Sequence, residues 1–162
     1  MAIRIAAVGE DDLDDLLPLL RGYCDFYGVA PGDADLRGLC QALLADPDRD
    51  GLQLLARDGT AAVGFATIFW SWSTLRAGRT GTMHDLFVVP AARGSGVAEA
   101  LIEGCLTCCR ERGAVELEWS TEPGNTRAQA VYDRVGGIRE EWVAYRLDTD
   151  TDTDADGAGG AG

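Results

Sequence analysis

Hydrophobic and polar positions along this chain change period several times, and each change predicts an element. Ile3, Ile5 and, less strictly, Ala7 alternate with other residues and predict a first strand. Glu10-Asp11-Asp12 suits a helix N-terminus, where carboxylates meet the positive end of the dipole. Leu13, Leu16, Leu17, Leu20, Cys24 and Tyr27 then recur at helical spacing as one apolar stripe. Pro18 inside that stripe is expected to bend the helix or to mark its real start. Leu36, Leu39, Cys40, Leu43 and Leu44 predict a second, shorter helix with Asp33 as N-cap. Residues 52–57 and 61–72 read as strands joined at Asp58-Gly59, a strong hairpin signal, and 73–81 reads as a loop.

The run Leu86-Phe87-Val88-Val89 is a buried strand that Pro90 ends. A turn of small residues follows, and Val97, Leu101, Cys105 and Cys108 continue at helical spacing up to Gly113, which suits a C-cap. Val115, Leu117 and Trp119 alternate with Glu116, Glu118 and Ser120 in a strand over 114–121. Asn125 is a natural N-cap for the stripe Ala128, Val131, Tyr132 and Val135, which Gly136-Gly137 stops. Residues 138–147 read as a last strand, in one piece or two, and the Thr-Asp repeats from Asp148 read as a disordered tail. The order β α α β β β α β α β predicts an α/β protein with a mixed sheet. Its consecutive strands are antiparallel, and a parallel pair in the middle flanks the small-residue turn. One domain over 1–147 is expected, with the tail at 148–162.

Composition narrows the classes. A hydrophobic content of 46% with four Trp in 162 residues fits a globular chain with a sizeable core. No apolar run reaches membrane-spanning length and the first residues lack a signal-peptide core, so no membrane partner and a cytoplasmic location are expected. Acidic residues number 27 against 14 basic ones, all arginine, for a net charge of −13. That balance argues against nucleic acid and suits small cationic ligands. The five cysteines are an odd count, against a disulfide framework. The C-x-x-C-C at 105–109 lies in an apolar helical pattern and His84 is the only histidine, so buried thiols are expected and no metal site.

Two stretches carry candidate chemistry. Gly94 and Gly96 have no Cβ, and the helix after them offers unpaired N–H groups to an anion, so strand, turn and helix start would make a main-chain phosphate cradle. The spacing is neither that of the P-loop nor G-x-G-x-x-G, and an ordinary strand-to-helix turn is the competing reading. The second stretch is Tyr23-Cys24-Asp25-Phe26-Tyr27. It reads either as a helix end docking on the core or as one wall of an amine pocket, with Asp25 supplying charge and the rings a cation–π surface.

Arg93-x-x-Gly96-x-Ala98 within Leu86-Phe87-Val88-Val89-Pro90-x-x-Arg93-Gly94-Ser95-Gly96-Val97-Ala98 resembles the R/Q-x-x-G-x-G/A motif of the GNAT superfamily of acyl-CoA-dependent N-acetyltransferases. Asn125-x-x-Ala128-x-x-Val131-Tyr132-x-x-x-Gly136 resembles the family's second motif, and the element order agrees. More narrowly, Gly22-Tyr23-x-x-Phe26-Tyr27 and His84-Asp85-Leu86-Phe87 resemble the polyamine (diamine) acetyltransferases and their histone/polyamine-acetylating relatives. The resemblance implies the GNAT fold, acetyl-CoA as co-substrate and a small primary amine as acceptor, with direct attack of the amine on the thioester. It implies that the strand at 86–88 splays from the strand at 115–120. It places Leu86, Phe87, Val88, Arg93, Gly94, Ser95, Gly96, Val97, Ala98 and Asn125 against acetyl-CoA, with Arg93 adding charge or bracing the loop. Tyr132 matches the general-acid tyrosine; Glu118 and Asp85 are candidate bases. Tyr23, Asp25, Phe26, Tyr27 and His84 are expected at the acceptor. His84 stands where polyamine acetyltransferases usually carry Glu, and strand parity puts it on the face opposite Asp85 unless a bulge intervenes. A protein lysine or N-terminal amine as acceptor, or a catalytically idle acyl-CoA-binding module, are the alternatives. A homodimer is implied through edge strands or the C-terminal strand, with Trp142 and Tyr145 available there.

Overall fold

The computed structural model describes residues 2–149. Five strands form one sheet in the order β1-β2-β3-β4-β5: β1 (Ile3–Ala7), β2 (Gly51–Asp58), β3 (Ala61–Ser73), β4 (Gly78–Val88) and β5 (Glu116–Glu118). The first four pair antiparallel, and β5 pairs parallel to β4. The helices are α1 (Leu13–Phe26), α2 (Asp33–Ala45), α3 (Val97–Glu111) and α4 (Thr126–Arg134).

Alternation along the central strands sorts side chains into two cores. Leu54, Ala56, Ala66 and Ile68 pack with Val97, Leu101, Ile102 and Cys105 of α3. Leu55 and Phe65 point the other way, against Leu13, Leu16, Leu19 and Leu20 of α1 and Leu36 and Cys40 of α2. Cys40, Cys105 and Cys109 are buried, and burial pushes their thiols up, as expected of cysteines packed as small hydrophobes.

Several expectations change. Residues 73–81 are not a loop: β3 runs to Ser73 and β4 starts at Gly78, leaving a tight turn between them. The small residues that hid this strand are required by close packing, because a Cβ on Gly81 would stand 2.5 Å from the Cys109 Sγ and 3.0 Å from the Trp70 ring. Helix α1 begins at Leu13, so Pro18 lies inside it and does not mark its start. The N-cap of α2 is Gly32; Asp33 is the first helical residue and pairs with Arg21 of α1. Strand β5 is three residues long, shorter than the alternation over 114–121. Residues 138–147 form no strand, and Ile138, Trp142, Val143, Tyr145 and Leu147 are exposed, because no described strand lies alongside to accept their hydrogen bonds. Of the expected tail, 150–162 lies outside the described residues.

The start of α1 is tied to the sheet by charge. The Asp12 carboxylate accepts the Gly9 N–H at 2.9 Å and Arg57 at 2.9 Å, and Arg57 also reaches Asp15. The Gly9 amide first, then Arg57, hold the Asp12 carboxyl below its ordinary value of 3.8. A depressed carboxyl stabilises the fold above its unfolded-state value, and that contribution is lost as pH falls through the folded-state value. Asp12→Asn is therefore expected to lower the urea midpoint at pH 7 and to flatten its decline below about pH 4. An unchanged acid limb would show that Asp12 carries none of it.

Candidate active site

Strands β4 and β5 pair at Thr80 with Glu116, Gly81 with Leu117 and Thr82 with Glu118, and no further. Beyond Thr82 the two part, and a cleft of about 180 Å³ opens between them. The splay expected between 86–88 and 115–120 is therefore present. Met83, His84, Leu86, Phe87 and Val88 line one side, and Ser120 and Thr121 the other. Arg93, Gly94 and Ala98 lie at one end, and Asn125, Ala128, Val131 and Tyr132 come from the start and apolar face of α4. Tyr23, Phe26 and Tyr27 close it from the end of α1.

The glycine turn is conformed as a cradle. Gly94 and Gly96 have φ of 78° and 86°, which L side chains rarely adopt, and a Cβ on either would meet nothing within 4 Å. Space is thus open beside both glycines, and Gly94 lines the cleft. Gly96 caps α3, whose first-turn N–H groups have no intrahelical partner. The Arg93 Nε donates to the Val88 carbonyl at 3.0 Å, so this arginine braces the loop while lining the cleft. The Val89 N–H goes to Val63 of β3, and alternation leaves the Val88 N–H facing the cleft.

At the other end, a bulge settles the question of parity. Thr67 pairs with Asp85 and Ile68 with Met83, so His84 is the extra residue of β4. Its imidazole lines the cleft, edge-on to Phe69 with centroids 5.3 Å apart. The Asp85 carboxylate sits behind it, with Oδ1 3.6 Å from the His84 Nδ1. Helix α1 crosses β4 at Gly22, where a Cβ would stand 2.7 Å from the Phe87 ring, and this close approach delivers Tyr23 to the cleft. The Tyr23 hydroxyl donates to the His84 carbonyl at 3.4 Å. Burial, then the Asp85 carboxylate, push its pKa well up.

Tyr132 is half-buried and packs edge to face on Trp119, with centroids 5.5 Å apart. Burial raises its pKa, and the Tyr27 phenol adds to the push, so the hydroxyl keeps its proton at neutral pH. Asn125 caps α4, its Oδ1 accepting the Ala128 N–H at 3.2 Å.

Not all the expected residues share the cleft wall. Glu118 accepts from the Thr82 hydroxyl at 3.1 Å where the strands part, and it does not line the cleft. Asp25, Asp85, Ser95, Gly96 and Val97 do not line it either; the last three shape the turn and the helix start. Arg127 and Arg134 line the cleft and were not expected. Their seven-residue separation on α4, two turns, was the available signal. Arg134 pairs with Glu99 in the first turn of α3 at 2.7 Å, which holds the Glu99 carboxyl low and offsets a carboxylate beside the anion cradle.

A thialysine N-epsilon-acetyltransferase of Caenorhabditis elegans is similar, 31% identical over 90% of this chain and 91% of its own length. An N-acetyltransferase of Archaeoglobus fulgidus is 32% identical over 80% and 89%. Among solved structures, a probable acetyltransferase superposes with a TM-score of 0.80 at 28% identity, covering 91% of this chain and 98% of that one. An aminoglycoside N-acetyltransferase in complex with CoA shares the fold, with a TM-score of 0.81 at 20% identity over 92% and 96%. The family described as Acetyltransferase (GNAT) matches residues 16–137, so this chain belongs to the GNAT family and is an N-acetyltransferase.

Proposed function

We propose that this protein transfers the acetyl group of acetyl-CoA to the primary amine of a small polyamine-like or aminated metabolite, by direct attack. The observation that carries the reading is the cleft where β4 and β5 part, with an anion cradle at one end and His84 and the α1 aromatics at the other. The residues present fit the co-substrate: space is open above Gly94 and Gly96, free N–H groups start α3, and Arg127 and Arg134 face the same cleft. Bound acetyl-CoA supplies an acetyl thioester that a neutral amine can attack.

The chain's own groups then have distinct tasks. The N–H groups from Gly94 to Ala98 hold phosphate oxygens. The Val88 N–H donates to the thioester carbonyl as charge builds on its oxygen. An alkylammonium has a pKa of about 10, so it must lose a proton before it attacks. His84 lines the cleft with the Asp85 carboxylate 3.6 Å behind its Nδ1, so the proton leaves toward that pair; neither Asp85 nor Glu118 is itself part of the cleft wall. Tyr132 gives its proton to the departing sulfur. Phe26 and Tyr27 offer ring faces to a cation.

The experiment is a thiol-release screen with acetyl-CoA against polyamines, amino sugars, amino acids and basic peptides. Turnover with small amines is expected. A response from basic peptides alone would move the acceptor to protein lysine or N-terminal amines, and acetyl-CoA binding without any transfer would leave an acyl-CoA-binding module. The chain has no lysine, so self-acetylation at lysine gives no background.

A cytoplasmic homodimer over one domain, 1–147, is part of the proposal. The β5 edge of the described sheet is open, and the alternating segment at 138–147 exposes Trp142 and Tyr145 with no strand beside it. A strand added edge to edge from a second copy would satisfy both. Light scattering is expected to give twice the chain mass of 17.2 kDa, and Trp142→Asp to shift it toward the monomer. A monomeric wild type at assay concentrations would remove the dimer.

A further inference from the structure

The cleft wall does not share the charge of the chain. The chain carries −13, yet Arg93, Arg127 and Arg134 all line the cleft. Among the described residues Glu99 is the one carboxylate lining it, and Arg134 engages it at 2.7 Å beside the cradle. At the acceptor end the acidic residues stand off the wall. Asp85 lies behind His84. Asp25 is two residues from Tyr23 on α1, a rotation of about 200° that turns it toward the other side of the helix.

What lines that end instead is aromatic and aliphatic. Tyr23, Phe26 and Tyr27 share the wall with Met83, Leu86 and Phe87 of β4. The rings belong to one connected array. Phe26 meets Tyr27 at 5.1 Å between centroids, Tyr27 meets Tyr23 at 5.0 Å, Tyr23 meets Phe65 at 5.9 Å and Phe65 meets Phe87 at 6.2 Å. Phe65 is fully buried, so the array is anchored in the core, while Phe26 and Tyr27 are 59% and 44% exposed at its outer end. Rings held by their neighbours lose little freedom when a ligand covers them.

We infer that the acceptor carries a single ammonium on an apolar arm, an aromatic ring above all, and that a second cationic group on that arm is selected against. The inference rests on the amine-acetylation reading of the cleft and names its substrate class. The reacting ammonium loses its proton toward His84 and Asp85. A second ammonium further along the arm meets no carboxylate on the wall, and a desolvated charge without a partner is costly. A cation over an exposed ring gains little to offset that cost. An apolar arm leaves water favourably and covers ring surface that is otherwise wet. The negative field of the whole chain speeds the encounter with any cation, but salt screens it within about 8 Å, and it supplies no contact at the wall.

The test is steady-state thiol release from acetyl-CoA with hexylamine against 1,6-diaminohexane, which differ by one ammonium, and with 2-phenylethylamine against ethylamine and glucosamine. Wild type is expected to prefer hexylamine to 1,6-diaminohexane, and 2-phenylethylamine to both of its comparators, by about tenfold or more in kcat/KM. The Phe26→Glu variant puts a carboxylate on the wall at an exposed position where little packing is lost. It is expected to move the hexylamine-to-diamine ratio toward the diamine by about fivefold or more, a change of specificity that a merely structural role for Phe26 would not produce. Wild-type turnover of 1,6-diaminohexane or glucosamine equal to or above that of the apolar amines would overturn the inference and leave the acetylation reading standing. So would an unmoved ratio in a folded Phe26→Glu variant. No turnover of any small amine by wild type would instead overturn the acetylation reading, and the inference with it.

Discussion

Tyr132→Phe is expected to lower kcat for amine acetylation by about 10²- to 10⁴-fold, the range that a positioned general acid contributes. That span corresponds to about 3–5 kcal/mol of barrier. Departing thiolate needs a proton, and the Tyr132 hydroxyl lines the cleft with its pKa raised by burial and by Tyr27, so it is protonated when the step begins. Phe keeps the edge-to-face contact with Trp119 and the apolar face of α4, so the fold and the acetyl-CoA Kd should hold. The loss should therefore sit in kcat. Turnover equal to that of wild type across the amine panel would remove the acid role from Tyr132. A weakened acetyl-CoA Kd with normal kcat would make it a binding residue.

The largest effect on stability is expected from Phe65→Ala, at about 3–5 kcal/mol. Phe65 is fully buried, and it stands in one cross-strand row with Leu55 of β2 and Phe87 of β4. Its ring meets Phe87 at 6.2 Å and Tyr23 at 5.9 Å. Removing it leaves a cavity between the sheet and α1 that the two helices on that face cannot close without shifting. Urea unfolding at neutral pH measures the loss. Because Tyr23 rests on the same ring, the amine KM should rise in whatever variant remains folded. A loss below about 1 kcal/mol would show that α1 collapses onto the gap, since the cost depends on how far a site can relax. Phe65→Leu, which fills most of the volume, should cost less and keep the KM closer to that of wild type.

Much of this site is written in short-range chemistry. The glycine turn needs positive φ at Gly94 and Gly96, Asn125 caps α4 through its own side chain, and Asp58-Gly59 closes the β2–β3 hairpin. Each depends on residues a few positions apart, so each is readable from the chain. The placement of Tyr132 on the apolar face of α4 follows from helical spacing alone.

Other features depend on distant partners. The first half of β4 has no strand pattern, since Gly78 and Gly81 are chosen by Val115, Trp70 and Cys109 packing above them. The alternation at 138–147 does predict a strand, but a strand forms only beside an edge that accepts its hydrogen bonds, and none lies beside it among the described residues. Arg127 and Arg134 look like ordinary helix-surface charges until α4 is laid along the cleft.

The sequence by itself determined the strand–glycine turn–helix unit, the capped helix that carries Tyr132, and the acidic, lysine-free composition. These are set by φ preferences, capping and periodicity over a few residues. Only the tertiary structure decided that β4 and β5 part after Thr82, that His84 is bulged beside Asp85, and that Tyr23 and Tyr27 of α1 face Tyr132 of α4 across one cleft. A one-residue bulge shifts the alternation by one place but is not announced by residue type, and α1 meets α4 only after the whole sheet has assembled between them in the chain.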